Sequence, residues 1–171
     1  GKRTFGRHVA AQGSTLVVSE FERVWVYTRD EAGSWEIAQE LTRGSHPIVA
    51  EGFGYRLAIR QDTICVGAWG GVWGAGTTPP GPPGEVYVYR RSPKGPFALE
   101  ARLVSPTPAG KDRFGFAVDV EDDTVVVGAY GDSTRASYAG AAFVYQRGPE
   151  GWRLEKRLEA PEADADANHQ F

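Results

Sequence analysis

The feature that most constrains the fold is an internal repeat that occurs three times. A Phe-Gly pair stands at residues 5, 53 and 114, so successive copies are offset by 48 and 61 residues. Each pair is followed by an alternating apolar stretch and then by an apolar run that reads LVVSE, ICVGA and VVVGA in the three copies. A segment related to VYVYR comes next, and WEIAQEL, FALEARL or WRLEKRL closes the copy. The chain is therefore three versions of one structural unit.

Each copy is predicted to form four short strands, because alternating apolar positions are interrupted by brief polar or Gly-rich turns. No stretch combines helical apolar periodicity with capping residues. Four-stranded units that recur with a period of this size are typical of β-propeller blades. We therefore predict an all-β chain made of three four-stranded antiparallel blades. The predicted blades span residues 5–52, 53–113 and 114–171.

Three blades are too few for a closed ring, which typically has about four to eight. An open arrangement would leave apolar sheet faces bare at both ends. We expect the ring to be completed by further blades of the same parent protein or by a second copy of this chain, and a fourth Phe-Gly pair would be expected at about Phe171. Contacts between blades are expected to involve Val118, Val126, Ala129, Phe143 and Tyr145.

Charge and composition argue against several classes of partner. The formal net charge is −3 and the Lys and Arg residues are scattered, so no concentrated basic face for nucleic acid is expected. No apolar run approaches the roughly 18 residues of a membrane span. The single cysteine, Cys65, occupies a place matched by Val17 and Val126 in the other copies, which predicts a buried small apolar side chain and not a reactive thiol.

The segments FGFAVDV, DTVVVGAYGD and GAAFVYQR resemble the FG-GAP repeat family, whose members include the propellers of integrin α-subunits. Phe114 and Gly115 match the FG element, and Gly128 to Tyr130 match the GAP element with Tyr in place of Pro. The resemblance covers nearly all of the chain and is weakest in the first copy. It implies a propeller fold, a protein–protein interaction role, and an extracellular or cell-surface location. Integrin function, meaning adhesion to a particular ligand with a metal-bearing partner domain, does not carry over.

Integrin repeats carry calcium in a DxDxDG loop between their first two strands, and this chain departs from that pattern. Its corresponding turns, Gln12–Ser14, Gln61–Asp62 and Glu121–Asp123, are too short to surround an ion with six or more oxygen atoms. The resemblance is therefore closer to the calcium-free bacterial repeats.

The loops that follow the second strands, Trp69–Gly84 and Tyr130–Gly140, are expected on the same face of the disc as the links between repeats. Binding residues tend to lie on such loops. Aromatic side chains there would form platforms for a sugar ring or a protein hot spot, or would simply pack against the blades, with Trp69 capping one of them. Polar residues there would contact a ligand or form turns. The predicted ligand-binding residues are Trp69, Trp73, Tyr130, Asp132, Arg135 and Tyr138.

No metal, cofactor or catalytic residue is predicted. Asp164, Asp166 and Asn168 have the spacing that opens a calcium loop, but neither the turn-forming Gly nor a closing acid follows, so we expect a solvated acidic link. The three histidines lie in separate segments without ligand spacing. No nucleophile elbow, phosphate loop or zinc motif occurs.

These patterns favour a non-enzymatic binding or scaffolding module that engages a protein or a glycan, in a lectin-like or adhesive role. The alternative is a fragment of a propeller enzyme of the lyase or dehydratase type whose active site is completed by other blades. Fold resemblance alone does not separate the two, because function depends on the site and not on the fold.

Overall fold

The computed structural model describes residues 4–20, 22–44, 52–70, 81–93, 95–109 and 111–161. These residues contain strands and no helix. The strands are Val9–Gln12 (β1), Thr15–Glu20 (β2), Arg23–Arg29 (β3), Trp35–Leu41 (β4), Phe53–Arg60 (β5), Thr63–Ala68 (β6), Glu85–Arg91 (β7), Phe97–Val104 (β8), Ala117–Glu121 (β9), Thr124–Ala129 (β10), Ala141–Gly148 (β11) and Gly151–Leu158 (β12).

The strands form three antiparallel sheets in which each strand pairs with its neighbours in sequence. The orders are β1-β2-β3-β4, β5-β6-β7-β8 and β9-β10-β11-β12, and we call these sheets the first, middle and last blade. The three blades do not close a ring. The prediction of an all-β chain with three four-stranded blades and an incomplete ring is confirmed. Among the residues described, no helix is long and apolar enough to cross a membrane.

Two-residue turns join the first two strands of every blade. In each turn the first residue has a positive φ, at +55° for Gly13 and +50° for both Gln61 and Asp122. The turns are tied to one another, because the backbone N–H of Gln61 donates to Gln12 Oε1 at 2.6 Å and Gln61 Nε2 donates to Asp122 Oδ1 at 3.0 Å. Turns this short have no room for a DxDxDG calcium loop.

The fourth strand of every blade carries a β-bulge at the same place. Ala38, Glu100 and Glu155 are the extra residues, because the pairing register shifts across each of them. A bulge reverses the alternation of side chains between the two faces of a sheet. Leu99 and Leu103, four residues apart, therefore lie on opposite faces, and Leu103 is buried while Leu99 is 41% exposed.

Two apolar cores lie between adjacent blades, and the middle blade contributes to both of them. All six residues of β6 are buried. Ile64 and Val66 enter the core shared with the first blade, while Cys65 between them enters the core shared with the last blade. Burial raises the pKa of the Cys65 thiol well above its usual range. The middle blade is thus covered on both faces.

The first and last blades each have one covered face and one free face. Val17, Cys65 and Val126 occupy the same position in the three blades, yet the first two are fully buried and Val126 is 38% exposed. The prediction that Val126 lies between blades is wrong, because alternation along β10 directs it to the face opposite the core. Ala129, Phe143 and Tyr145 do enter the second core, and Val118 packs against it.

The Phe-Gly pairs mark the points where one blade meets the preceding one. Phe53 and Phe114 are 3% and 0% exposed, and the glycines after them have φ values of +82° and +83°, which L-residues with a side chain rarely adopt. A Cβ atom on Gly54 would lie 2.9 Å from Ser19 Cβ of the first blade. Phe5 is instead 57% exposed, and no described strand precedes it.

Aspartate substitutions at equivalent positions of the first and last blades should lower the free energy of unfolding by very different amounts. We expect Val17→Asp to lower the free energy of unfolding by about 3–5 kcal/mol, since it places an unpaired charge in an apolar core. Val126→Asp should cost about 1 kcal/mol or less, because its side chain reaches water. Urea unfolding followed by tryptophan fluorescence, at a protein concentration low enough to keep the chain monomeric, measures both. Similar losses for the two variants would contradict the assignment of the free face.

Candidate functional site

The candidate site lies on the loop face, which comprises the starts of β1, β5 and β9, the residues Trp69 and Gly70 that follow β6, and the loop Tyr130–Gly140 that follows β10. The first strands of the blades are close neighbours, since β5 contacts both β1 and β9. Each loop begins beside the start of a first strand: Trp69 contacts Tyr55 with ring centroids 5.8 Å apart, and Tyr130 contacts Phe116 at 4.6 Å. Residues from different blades therefore meet on this face.

Trp69, a predicted platform residue, is packed by the protein itself. It is 4% exposed, and the guanidinium carbon of Arg113 lies 4.4 Å from its ring centroid. Arg113 Nη1 also donates to the carbonyl oxygen of Gly70 at 3.2 Å, which holds the start of the loop. The ring therefore caps the blade and offers little free surface to a ligand. Trp73 lies outside the described residues.

Asp132 organises the loop between β10 and β11. It is 1% exposed, and its Oδ1 accepts from the backbone N–H of Thr134 at 3.0 Å and from Arg157 Nη2 at 2.7 Å. Burial by itself raises the pKa of this carboxyl, but the hydrogen bonds from Thr134 and Arg157 outweigh it and hold the pKa below its usual range. The backbone N–H of Gly140 donates to the carbonyl oxygen of Asp132 at 2.9 Å, which closes the loop.

An open pocket of about 570 Å³ lies between this loop and the link that precedes β9. Lys111, Asp112, Asp132 and Thr134 contribute to its wall. Asp112 is 2% exposed, and its two oxygens accept from the backbone N–H groups of Phe114 and Ala109 at 3.1 Å each. Burial raises the pKa of Asp112. Both buried carboxylates thus have structural hydrogen bonds.

Tyr130, Arg135 and Tyr138 lie at the surface of the same loop. Tyr130 is 52% exposed and Tyr138 is 66% exposed, so both rings can be reached from solvent. Tyr138 has a φ of +55°, and its backbone N–H donates to Ser133 Oγ at 3.1 Å. Arg135 Nη1 donates to the carbonyl oxygen of Ala160 at 2.9 Å. The loop presents two tyrosines on a backbone that its own hydrogen bonds hold in place.

The structure connects the predicted aromatics through residues that the sequence analysis did not single out. Tyr55 and Phe116 lie 5.0 Å apart and join Trp69 on the middle blade to Tyr130 on the last. We call Trp69, Tyr55, Phe116 and Tyr130 the aromatic row. Tyr55 and Phe116 each follow directly after a Phe-Gly pair, so superposing the three repeats would have identified them.

Basic residues surround the Tyr55 end of this row. Arg7 is the residue of the first copy that is equivalent to Tyr55 of the second, and its guanidinium carbon lies 5.1 Å from the Tyr55 ring centroid. The guanidinium carbon of Arg56 lies 5.1 Å from the Tyr55 ring centroid and 5.5 Å from the Phe116 ring centroid. Its Nη1 is 2.9 Å from His8 Nδ1, and because a guanidinium only donates, the imidazole nitrogen accepts. We call Arg7, His8 and Arg56 the basic cluster.

No metal site is found in the parts of the chain that the structure covers, where no three His, Cys, Asp or Glu side chains are placed to hold an ion. The segment with Asp164, Asp166 and Asn168 lies outside the described residues, as do His46 and His169.

The FG-GAP repeat family matches residues 97–145. This range begins with β8 of the middle blade and ends within β11 of the last, so it crosses the junction where Phe114 and Gly115 enter. The chain carries an FG-GAP repeat, as predicted, and its sheets are blades of the β-propeller type. FG-GAP repeats are typical of extracellular proteins. No curated protein matches the chain significantly.

The protonation of His8 reports directly on the basic cluster. Burial lowers the pKa of His8 below its usual 6.5, and the charges of Arg56 and Arg7 lower it further. The folded state therefore binds this proton less tightly than the unfolded chain, so stability should fall as the pH drops below about 6.5. NMR titration should give a pKa below 6.5 that rises in Arg56→Gln, whereas Arg60→Gln, further along β5, should leave it unchanged. A pKa at or above 6.5 in the unaltered protein would contradict this arrangement.

Proposed function

We propose that this chain is a non-enzymatic binding module of a β-propeller and that it holds a protein or glycan ligand on the loop face. The observation that carries the proposal is the continuity of the aromatic row, which crosses from the middle blade to the last and ends at the exposed ring of Tyr130. Aromatic side chains offer a large contact area at a small loss of conformational entropy, which suits recognition of sugars and proteins.

The way in which polar groups are used on the loop face supports binding over catalysis. A general acid or base must reach the substrate with a proton-carrying atom. Asp112 and Asp132, which border the pocket, direct their oxygens to backbone N–H groups and to Arg157. These carboxylates hold the loop in place, and the exposed side chains beside them include Tyr130 and Tyr138 as well as Lys111 and Arg135.

We further propose that the two free blade faces are covered by blades that begin with a Phe-Gly pair, either from the same parent protein or from a second copy. The Phe-Gly pair of the first blade already has the backbone conformation of a packed junction, since Gly6 has a φ of +80°, close to the +82° of Gly54 and the +83° of Gly115. The last blade has the receiving site, since Gly128 occupies the place where Gly67 lies against the carbonyl oxygen of Gly115. A secreted or cell-surface location is part of this proposal, since FG-GAP repeats are typical of extracellular proteins.

Self-association should depend on the free faces. We expect light scattering to show dimers of the chain at micromolar concentration, because exposed apolar side chains at its two ends complement each other as the packed junctions do. Val126→Asp should give monomers. Leu99→Asp is the matched control, since Leu99 is exposed to a similar extent, 41%, but lies on the middle blade. Monomers of the unaltered chain at every concentration would exclude completion by a second copy.

Ligand binding should depend on the two exposed tyrosines. Screening the protein against immobilised glycans and candidate protein ligands provides the starting ligand. Tyr130→Ala combined with Tyr138→Ala should weaken it by roughly tenfold or more, since aromatic anchors carry much of the energy of such contacts. Trp35→Ala, which removes another partly exposed aromatic ring far along the first blade, should bind normally. Full binding by the double variant would place the site elsewhere.

A further inference from the structure

The basic cluster contains two arginines, Arg7 and Arg56, that form no ion pair with a carboxylate of the described residues. Several other arginines of the chain form ion pairs, and Arg90, for example, contacts Asp62 at 3.0 Å and Asp123 at 3.1 Å. Within the described ranges, neither Arg7 nor Arg56 forms an ion pair, and the hydrogen bonds of Arg56 use only its Nη1 atom. Most of the N–H donors of both groups therefore have no acceptor among the residues that the structure describes.

The surroundings of Arg56 hold its guanidinium in place. It lies within 5.5 Å of two aromatic ring centroids and donates to His8, so little side-chain freedom remains to be lost on binding. The N–H groups of a guanidinium form a planar fork, to which a carboxylate accepts two hydrogen bonds at once. His8 stays neutral near pH 7, because burial and the two arginines lower its pKa. The cluster thus presents positive charge beside an apolar surface.

Recognition at this place relies on side chains, because five nearby backbone N–H groups already have protein acceptors. The backbone N–H groups of Gly6, Tyr55 and Phe116 donate to the carbonyl oxygens of Ser19, Gly52 and Arg113 at 3.0, 2.8 and 3.1 Å. Those of Gly131 and Asp132 donate to Asp112 and Ala129. An extended peptide would seek such main-chain partners, whereas a sugar ring with a carboxylate needs only charged and aromatic side chains.

We propose that the loop face binds a glycan containing uronic acid, with Arg7 and Arg56 holding the sugar carboxylate and Tyr130 contacting an adjacent sugar ring. This inference rests on the proposed function and adds the chemical class of the ligand. Phe116 contacts both Arg56 and Tyr130, so the aromatic row holds the arginines and the tyrosine close enough together to bind one oligosaccharide. The arginines recognise the charge, and the tyrosine recognises the apolar face of a sugar.

Calorimetry with a panel of uronate trisaccharides and their methyl esters tests this assignment. The panel comprises galacturonate, guluronate and mannuronate trimers. We expect at least one acid form to bind and its methyl ester to bind roughly tenfold more weakly or worse, because esterification removes the charge-assisted hydrogen bonds. Arg7→Gln and Arg56→Gln should each reproduce this loss. Arg60→Gln is the matched control, since Arg60 lies on the same strand but pairs with Glu121 at 2.9 Å.

Four results would overturn the proposal. They are equal binding of acid and ester, unchanged binding by both arginine variants, a preference for a poly-glutamate peptide over every member of the panel, and failure of the whole panel to bind. The binding module itself is tested separately, since a neutral glycan or a protein that binds the unaltered chain and not the double tyrosine variant would support the module while excluding the uronate.

Discussion

The close approach of backbone to backbone at the blade junctions is the constraint on which the rest of the structure depends. Where Phe114 and Gly115 enter the middle blade, a Cβ atom on Gly67 would collide with the carbonyl oxygen of Gly115. The Gly in the GAP-like element is therefore required by the neighbouring blade and not by its own strand. Because each junction brings the first strands together, it also brings together the residues that follow each Phe-Gly pair, and these residues form the loop face.

Much of the fold could be predicted from the sequence, because the repeat supplies three versions of the same strand pattern. The strands, their order and the short turns follow from alternation and turn chemistry alone. The exposure of Val126 could not be read from that pattern, since it depends on what lies beyond the last blade. The bulge in the fourth strand was also missed, because the four-residue spacing between Leu99 and Leu103 suggests one face until the register shift at Glu100 is seen.

The site was predicted only in part. The loop between β10 and β11 was correctly treated as a surface loop, but Asp132 is a buried anchor in it and Trp69 is a capping residue. A sequence does not distinguish a packed aromatic ring from an exposed one, because the same residue type occurs in both environments. No single repeat marks its own residue, whether Tyr55, Phe116 or Arg7, as part of a binding site. Their common position has meaning only when the three copies are placed side by side.

The recurrent bulge also bears on how the chain avoids uncontrolled aggregation. β4, β8 and β12 are the outer edges of their sheets, and an unpaired edge strand is a template for adding strands from other molecules. An extra residue twists such an edge, and charged side chains at or near it, among them Glu40, Glu100 and Lys156, oppose close approach. The outer edges are thus unsuited to β-sheet extension, whereas the free faces remain open to stacking. Association is thereby directed into the geometry that builds a ring and away from the geometry that builds a fibre.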